Sequence, residues 1–313
     1  MTEYPAFSRL RAMGNPMIPR PMNPIFDMIH SCIGVEIFGK LNRNIIHSSW
    51  NLKQNLVSQK KGLQSKSGFS ILNFAIDNKF TKKGGWMRLA AHQPGYMPAI
   101  QFFQKMARAD IFLLADDLQY STRDQVNRTR IKTINGEGWL SVPVLSKGRL
   151  QQPIRNVEID NHSDWVQKHL RTLEVNYQNA AYFGLYFDWL ADLLKQPRRQ
   201  LLNLNLDLIH FAKKHLFLKN TTLHRFSEVA APGNTQRRLI QAMQQLKCDI
   251  YLVEADFRPY VDVALFESAG FQVEFLKLKQ PQYWQQFDQF VPNLSIMDLL
   301  LNEGELSYRL VKP

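Results

Sequence analysis

From residue 87 onward the apolar positions fall into two kinds of run. MRLAAHQ at 87–93, DIFLLADD at 110–117, DIYLVEA at 249–255 and FQVEFLKL at 271–278 are short, largely apolar and of strand length, the second ending in two acids. Between them lie stretches in which apolar residues recur every three or four positions. MPAIQFFQKMARA carries Ile100, Phe103 and Met106 at helical spacing, with Pro98 where a first-turn proline is tolerated. WVQKHLRTLEVNY puts Val166, Leu170, Leu173 and Tyr177 on one stripe behind a Ser163/Asp164 start. YFGLYFDWLADLLKQ and QLLNLNLDLIHFAKKHL predict two more helices on either side of Pro197. Further on, TTLHRFSEV predicts a strand, TQRRLIQAMQQLK and VDVALFESA predict helices, and NLSIMDLLLNEG predicts a helix stopped by Gly304.

Strand, helix, strand in this order implies right-handed parallel crossovers. RTRIKTINGEGWLSVPVL breaks the pattern, because Asn135-Gly136 between two alternating runs is a hairpin signal. IRNVEID predicts one more short strand. The fold class expected is α/β: a mostly parallel, Rossmann-like sheet with an inserted β-hairpin and a helical insertion at about 160–217.

Residues 1–86 read differently. Their apolar pieces, such as IGVEIFG and SILNFAI, are short and separated, and the rest is polar, basic or proline-rich. KGGWM at 83–87 can be encoded as AAA-GGA-GGT-TGG-ATG, which holds a ribosome-binding sequence just ahead of a start codon. The expectation is a poorly structured leader, or an upstream reading frame with translation starting at Met87, followed by one α/β domain over 87–313.

Composition narrows the class. With 45% hydrophobic, 21% charged and 12% aromatic residues among 313, the chain is of ordinary globular make-up. No apolar run approaches the roughly 18 to 20 residues of a membrane-spanning helix. Cys32 and Cys248 have no metal-ligand spacing, and a reducing cytoplasm is the simpler setting. The formal charge of +12 points at first to nucleic acid. Its distribution argues against that: residues 1–86 hold 12 Lys or Arg against 4 Asp or Glu, whereas residues 87–313 hold 27 against 23.

Three clusters carry candidate chemistry. The first is HQPGY, where His92 directly follows a strand and precedes a helix; in open α/β sheets ligands bind beyond the carboxyl ends of strands. A histidine there can hold a phosphate or act as acid or base, with Gln93 and Tyr96 fixed beside it by Pro94 and Pro98. The second is ADDLQYSTRDQVNRTRIK. Asp116 and Asp117 end a strand and form a carboxylate pair of the kind that binds Mg²⁺ together with nucleotide phosphates. Extended backbone over 128–132 places Arg128, Arg130 and Lys132 on one face, flanked by Gln119, Tyr120, Arg123 and Asn127. Three cations on one face suit a phosphate-bearing or carboxylate-bearing ligand; a solvated face paired with surface acids is the other reading. The third is Lys168, His169, Arg171 and Asn176 on the WVQKHLRTLEVNY helix, where a charge run is more often a wet face. Two weaker signals are Gly233-Asn234 before a helix start and Glu254 or Arg258 after a strand. No phosphate-binding GxxxxGK[ST] loop, G-x-S-x-G elbow, HExxH or paired CxxC is present.

Taken together, HQPGYMPAIQFFQKMARADIFLLADDLQYSTRDQVNRTRIKT, WLSVPVL, PIRNVEID, WVQKHLRTLEVNYQNAAYF and FVPNLSIMDLLLNEG resemble the WbqC-like family of bacterial proteins, in that family's order and across residues 87–313. Where the family carries Leu-Pro-Trp after its tyrosine this chain has Met97-Pro98-Ala99, and where it is glycine-rich this chain has VEADFRPY. The resemblance implies an association with O-antigen or other surface-polysaccharide assembly. It leads to an expected enzyme of group transfer, acyl or aminoacyl, on a phosphate-bearing amino sugar, with a sugar nucleotide or activated donor as partner. In that expectation His92, Asp116 and Asp117 are catalytic, Mg²⁺ accompanies a nucleotide substrate, and the remaining residues of the three clusters bind substrate. A nucleotidylyltransferase-like enzyme and a non-catalytic sugar-nucleotide or glycan-binding protein are the alternatives. Neither a nucleic-acid partner nor a membrane span is expected.

Overall fold

Strands whose residues are apolar on both faces need a layer on each side. The computed structural model, which describes residues 85–149, 151–229 and 234–312 within the unit Asn78–Pro313, supplies those layers. The leader expectations fall on residues 1–84, outside the described residues, as does Gly233. In chain order the main elements are β1 (Arg88–His92), α1 (Ile100–Arg108), β2 (Ile111–Leu114), β3 (Arg128–Thr133), β4 (Gly136–Ser141), α2 (Trp165–Tyr177), α3 (Phe183–Lys195) and α4 (Leu201–His215). There follow β5 (Thr222–Arg225), α5 (Phe226–Val229), α6 (Thr235–Leu246), β6 (Ile250–Glu254), α7 (Val263–Ser268), β7 (Gln272–Leu276), α8 (Ile296–Glu303) and α9 (Ser307–Val311).

Five strands form one sheet in the order β5-β2-β1-β6-β7, and every pairing is parallel. Counted along the chain, those strands run 3-2-1-4-5, the Rossmann arrangement, with the order reversing between β1 and β6. One face of the sheet, with Ala90, Phe112, Leu114 and Leu252, packs on α1, on α2 to α4 and on α8. The other face, with Leu89, Leu113, Tyr251 and Val253, packs on α6 and α7. The helical insertion thus joins the core of the sheet. The antiparallel hairpin β3–β4 stands apart from the sheet, with Gly136 at φ +102° next to its turn, a conformation open to glycine and costly elsewhere.

Two predicted elements are corrected. IRNVEID is not a strand: Ile154–Asn156 is a turn of 3-10 helix, and Pro153, Glu158 and Ile159 make single bridges to three different segments, Gln119, Gln200 and Val144. With no neighbour running alongside, no ladder can grow. The strand predicted over TTLHRFSEV stops at Arg225, and Phe226–Val229 turns into a helix. The Asp116 carboxylate draws that turn in, accepting from the Ser227 amide at 3.0 Å and its hydroxyl at 2.7 Å.

Candidate active site

In open parallel sheets ligands bind where the strand order reverses; here that point lies between β1 and β6, which end in His92 and Glu254. Between them lies Lys105, a buried lysine on α1, whose Nζ donates to Glu254 Oε2 at 2.8 Å and to the carbonyl of Ala91 at 2.8 Å. Burial pushes the Lys105 ammonium below its ordinary range, against the pull of Glu254. Burial would raise the Glu254 carboxyl, but the adjoining ammonium holds it below the usual carboxylate value. His92 is exposed at the end of β1. Protein packed around its ring, including Phe102 edge-on at 5.1 Å, together with Lys105 lowers the imidazole from 6.5. Its Nδ1 lies 2.9 Å from the carbonyl of Gln93. A carbonyl only accepts, so Nδ1 carries the proton and Nε2 is left as the basic nitrogen.

The loop after His92 is tied to the segment that leads into β3. Asn205, fully buried on α4, donates from one Nδ2 to the carbonyls of Pro94 at 2.9 Å and Val126 at 2.8 Å. Thr129 Oγ1 donates to the carbonyl of Met97 at 2.9 Å, and the Ile296 amide donates to that of Pro98 at 2.9 Å. Met97 itself sits at φ +44°, where a long side chain is strained and only surrounding bonds can keep it. The opening loop and the cationic strand are therefore one assembly.

On that strand Arg128, Arg130 and Lys132 alternate with Thr129, Ile131 and Thr133 as expected. The Arg128 guanidinium lies 4.7 Å from the exposed Trp139 ring and the Arg130 guanidinium 5.9 Å from it, and Arg130 pairs with Glu137 at 3.2 Å. Arg128 also donates to the carbonyl of Arg123 at 2.9 Å. Buried polar groups are nearly always hydrogen-bonded. Here the Tyr120 hydroxyl, Asn127 Oδ1, Arg128 Nε, Arg130 Nε and Lys132 Nζ have no partner within the protein. These five atoms cluster over residues 120–132; four can donate, and Asn127 Oδ1 only accepts.

Other candidates are used inside the fold. Tyr96 is buried and its hydroxyl bonds His169 Nδ1 at 2.9 Å, while His169 Nε2 lies 3.2 Å from the carbonyl of Ser141. Burial holds His169 at about 4. Both oxygens of Asp116 are taken by Ser227, and Asp117 pairs with the buried Arg238, leaving its Oδ1 without a partner. Lys168 and Arg171 lie on the exposed side of α2, with Arg171 paired to Glu174, and Asn176 Nδ2 bonds the carbonyl of Thr172. Gln119 is exposed at the bridge to Pro153, and Gln93 contributes its carbonyl to His92. Asn234 caps α6, accepting from the amides of Gln236 and Arg237, and the Arg258 guanidinium lies 3.8 Å from the Phe275 ring. Among the described residues no group of three His, Cys, Asp or Glu could hold a metal ion.

Sequence reasoning missed Lys105, which one turn of α1 among Ile100, Phe103 and Met106 disguises as a wet-face residue. It also missed Asn205, hidden in the leucine-rich QLLNLNLDLIHF, and a buried acid, Asp298. That acid accepts from Tyr177 at 2.8 Å and from Tyr283 at 2.7 Å, and burial raises it to about 6.

Residues 93–309 match the WbqC-like protein family. The chain is 36% identical over 219 residues to the uncharacterized protein Rv1507c of Mycobacterium tuberculosis, an alignment covering 69% of this chain and 94% of that protein. No solved structure matches.

Proposed function

The chain belongs to the WbqC-like protein family, and we propose that it is an enzyme of bacterial surface-polysaccharide assembly that transfers an acyl or aminoacyl group to the amine of a phosphate-bearing amino sugar. The observation that carries this reading is the set of unpartnered donors on β3, joined by its own loop to a basic histidine at the strand-order reversal. Arg128 and Arg130 hold the phosphates, since guanidinium forks match phosphate oxygens. Trp139 braces both guanidinium groups from behind. The amine nitrogen bonds to the activated acyl carbon as the bond to the leaving group breaks. His92 Nε2 takes the proton the amine sheds and returns it to the leaving group. Lys105 and Glu254 are positioning residues that fix the field around the imidazole. If Mg²⁺ accompanies the phosphates, Asp117, whose Oδ1 has no partner in the protein, would be the residue to hold it, and the ion would offset phosphate charge; Asp116 holds the neighbouring turn.

The test is mass spectrometry of the full chain incubated with nucleotide-linked aminohexoses and a panel of acyl-thioester and aminoacyl donors. Gain of one acyl mass on the amine is expected, and His92→Ala and Arg128→Ala should abolish it while leaving the unfolding midpoint near that of the parent. Pyrophosphate release instead would replace group transfer by nucleotidylyl transfer. Tight binding without turnover across the whole panel would make the protein a carrier or sensor.

A further inference from the structure

The far end of the cationic strand leads into a second recess that the reading above leaves unused. Lys132 is 1% exposed, yet its ammonium has no hydrogen-bond partner. It lies in the field of two carboxylates, the buried Asp298 and the exposed Asp288, which oppose the lowering of its pKa by burial. Asp298 is fixed by the hydroxyls of Tyr177 and Tyr283, and Tyr177 in turn accepts from the Lys132 amide at 2.8 Å. Tyr283 also lines a cavity of about 330 Å³ together with Trp284, Gln285, Phe287, Asp288 and Phe290. That volume lies within the range of small-molecule sites, roughly 300–1,000 Å³.

The wall of this recess is aromatic and held outward. Trp284 is 61% exposed and Phe287 40% exposed, against the hydrophobic drive to bury both. Phe287 sits at φ +66°, a strained conformation for an aromatic residue. Bonds on both sides impose it. Gln285 exchanges two bonds with the backbone of Val291, Gln286 donates to Asn302 at 2.8 Å, and the Trp284 amide donates to Glu303 at 3.2 Å. Strain that the surroundings over-determine is typical of ligand clamps.

Exposed flat rings beside a buried ammonium and a carboxylate are the complement of a sugar. The C–H face of a pyranose stacks on an aromatic ring, and its hydroxyls need both a donor and an acceptor. We propose that the recess lined by Trp284, Phe287 and Asp288, next to the buried Lys132, is a hexose subsite, which takes the sugar ring while Arg128 and Arg130 take the phosphates. Alternation along β3 sets Lys132 about 7 Å beyond Arg130 on the same face. The subsite deepens the proposed function and rests on its phosphate assignment only for the direction in which the ligand lies.

Saturation-transfer NMR on the full chain, with free N-acetylglucosamine and glucose as one probe set and inorganic pyrophosphate titrated separately, tests the two halves independently. Transfer to the ring protons of a hexose is expected. Trp284→Ala, a surface change that spares the fold, should weaken it about tenfold, the scale of losing one ring-stacking aromatic. Lys132→Met should weaken it as well, and Trp284→Ala should leave pyrophosphate binding unchanged. No transfer to either sugar, or transfer that survives both substitutions, overturns the subsite. Sugar transfer without pyrophosphate binding supports the subsite and removes the phosphate reading; pyrophosphate binding without sugar transfer does the reverse.

Discussion

Two buried titratable residues pull the stability of this protein in opposite directions. His169 stands at about 4 when folded against 6.5 when free. A depressed histidine contributes stability that is whole above the free value and is lost as pH falls, here on the order of 3 kcal/mol between pH 6.5 and 4. Asp298 stands at about 6 against 3.8. A raised carboxyl contributes stability that is whole below the free value and is lost as pH rises through the folded one, again on the order of 3 kcal/mol. Between pH 4 and 6 these contributions nearly cancel. His169→Gln should therefore gain stability relative to the parent as pH is lowered across that window, and Asp298→Asn should lose it. Urea unfolding midpoints at pH 4, 5 and 6 decide this; parallel curves for parent and variants would show that neither group titrates as described. At the site itself, the low pKa of His92 keeps Nε2 free for a proton at neutral pH.

At the scale of elements, the loop after β1 depends on a single amide. Asn205→Leu removes both bonds from Nδ2 and leaves the carbonyls of Pro94 and Val126 buried without donors, a loss of about 2–4 kcal/mol. It should also raise hydrogen exchange across residues 93–98 more than across β6, and uniform exchange would show that Asn205 does not organise the loop. The end of α8 is equally exacting. Gly304 has φ +58°, and an added Cβ would press on the ring of Tyr182, so Gly304→Ala should cost at least about 2 kcal/mol in thermal or urea unfolding. Most elements were legible from their apolar spacing, including the hairpin from Asn135-Gly136 and the α8 stop from Gly304. IRNVEID was not, because a short β-rich run becomes a strand only when another strand lies beside it. The helical turn at Phe226 was hidden for a similar reason, since its cap is an acid 111 positions upstream.

For the whole molecule, charge and topology bear on partners and on the place of the site. The near balance of basic and acidic residues over 87–313 predicts no sequence-independent affinity of that segment for duplex DNA at physiological salt. Fluorescence anisotropy with a labelled duplex checks this, and binding that weakens steeply with added salt would reverse it. Among the described residues no helix is long and apolar enough to cross a membrane.

Periodicity determined the α/β class, the parallel crossovers and the position of His92 at a strand end, because these follow from the local geometry of each segment. Alternation alone placed Arg128, Arg130 and Lys132 on one face. Only the tertiary structure decided which strands are neighbours, and with that the strand-order reversal between β1 and β6, where Lys105 bonds the Ala91 carbonyl and Glu254 beside His92. It also turned Tyr96, His169 and Asp116 inward, to partners 73 and 111 positions away. A polar side chain becomes a ligand contact or an internal bond according to what lies opposite it. That depends on packing between distant segments, which no local pattern encodes.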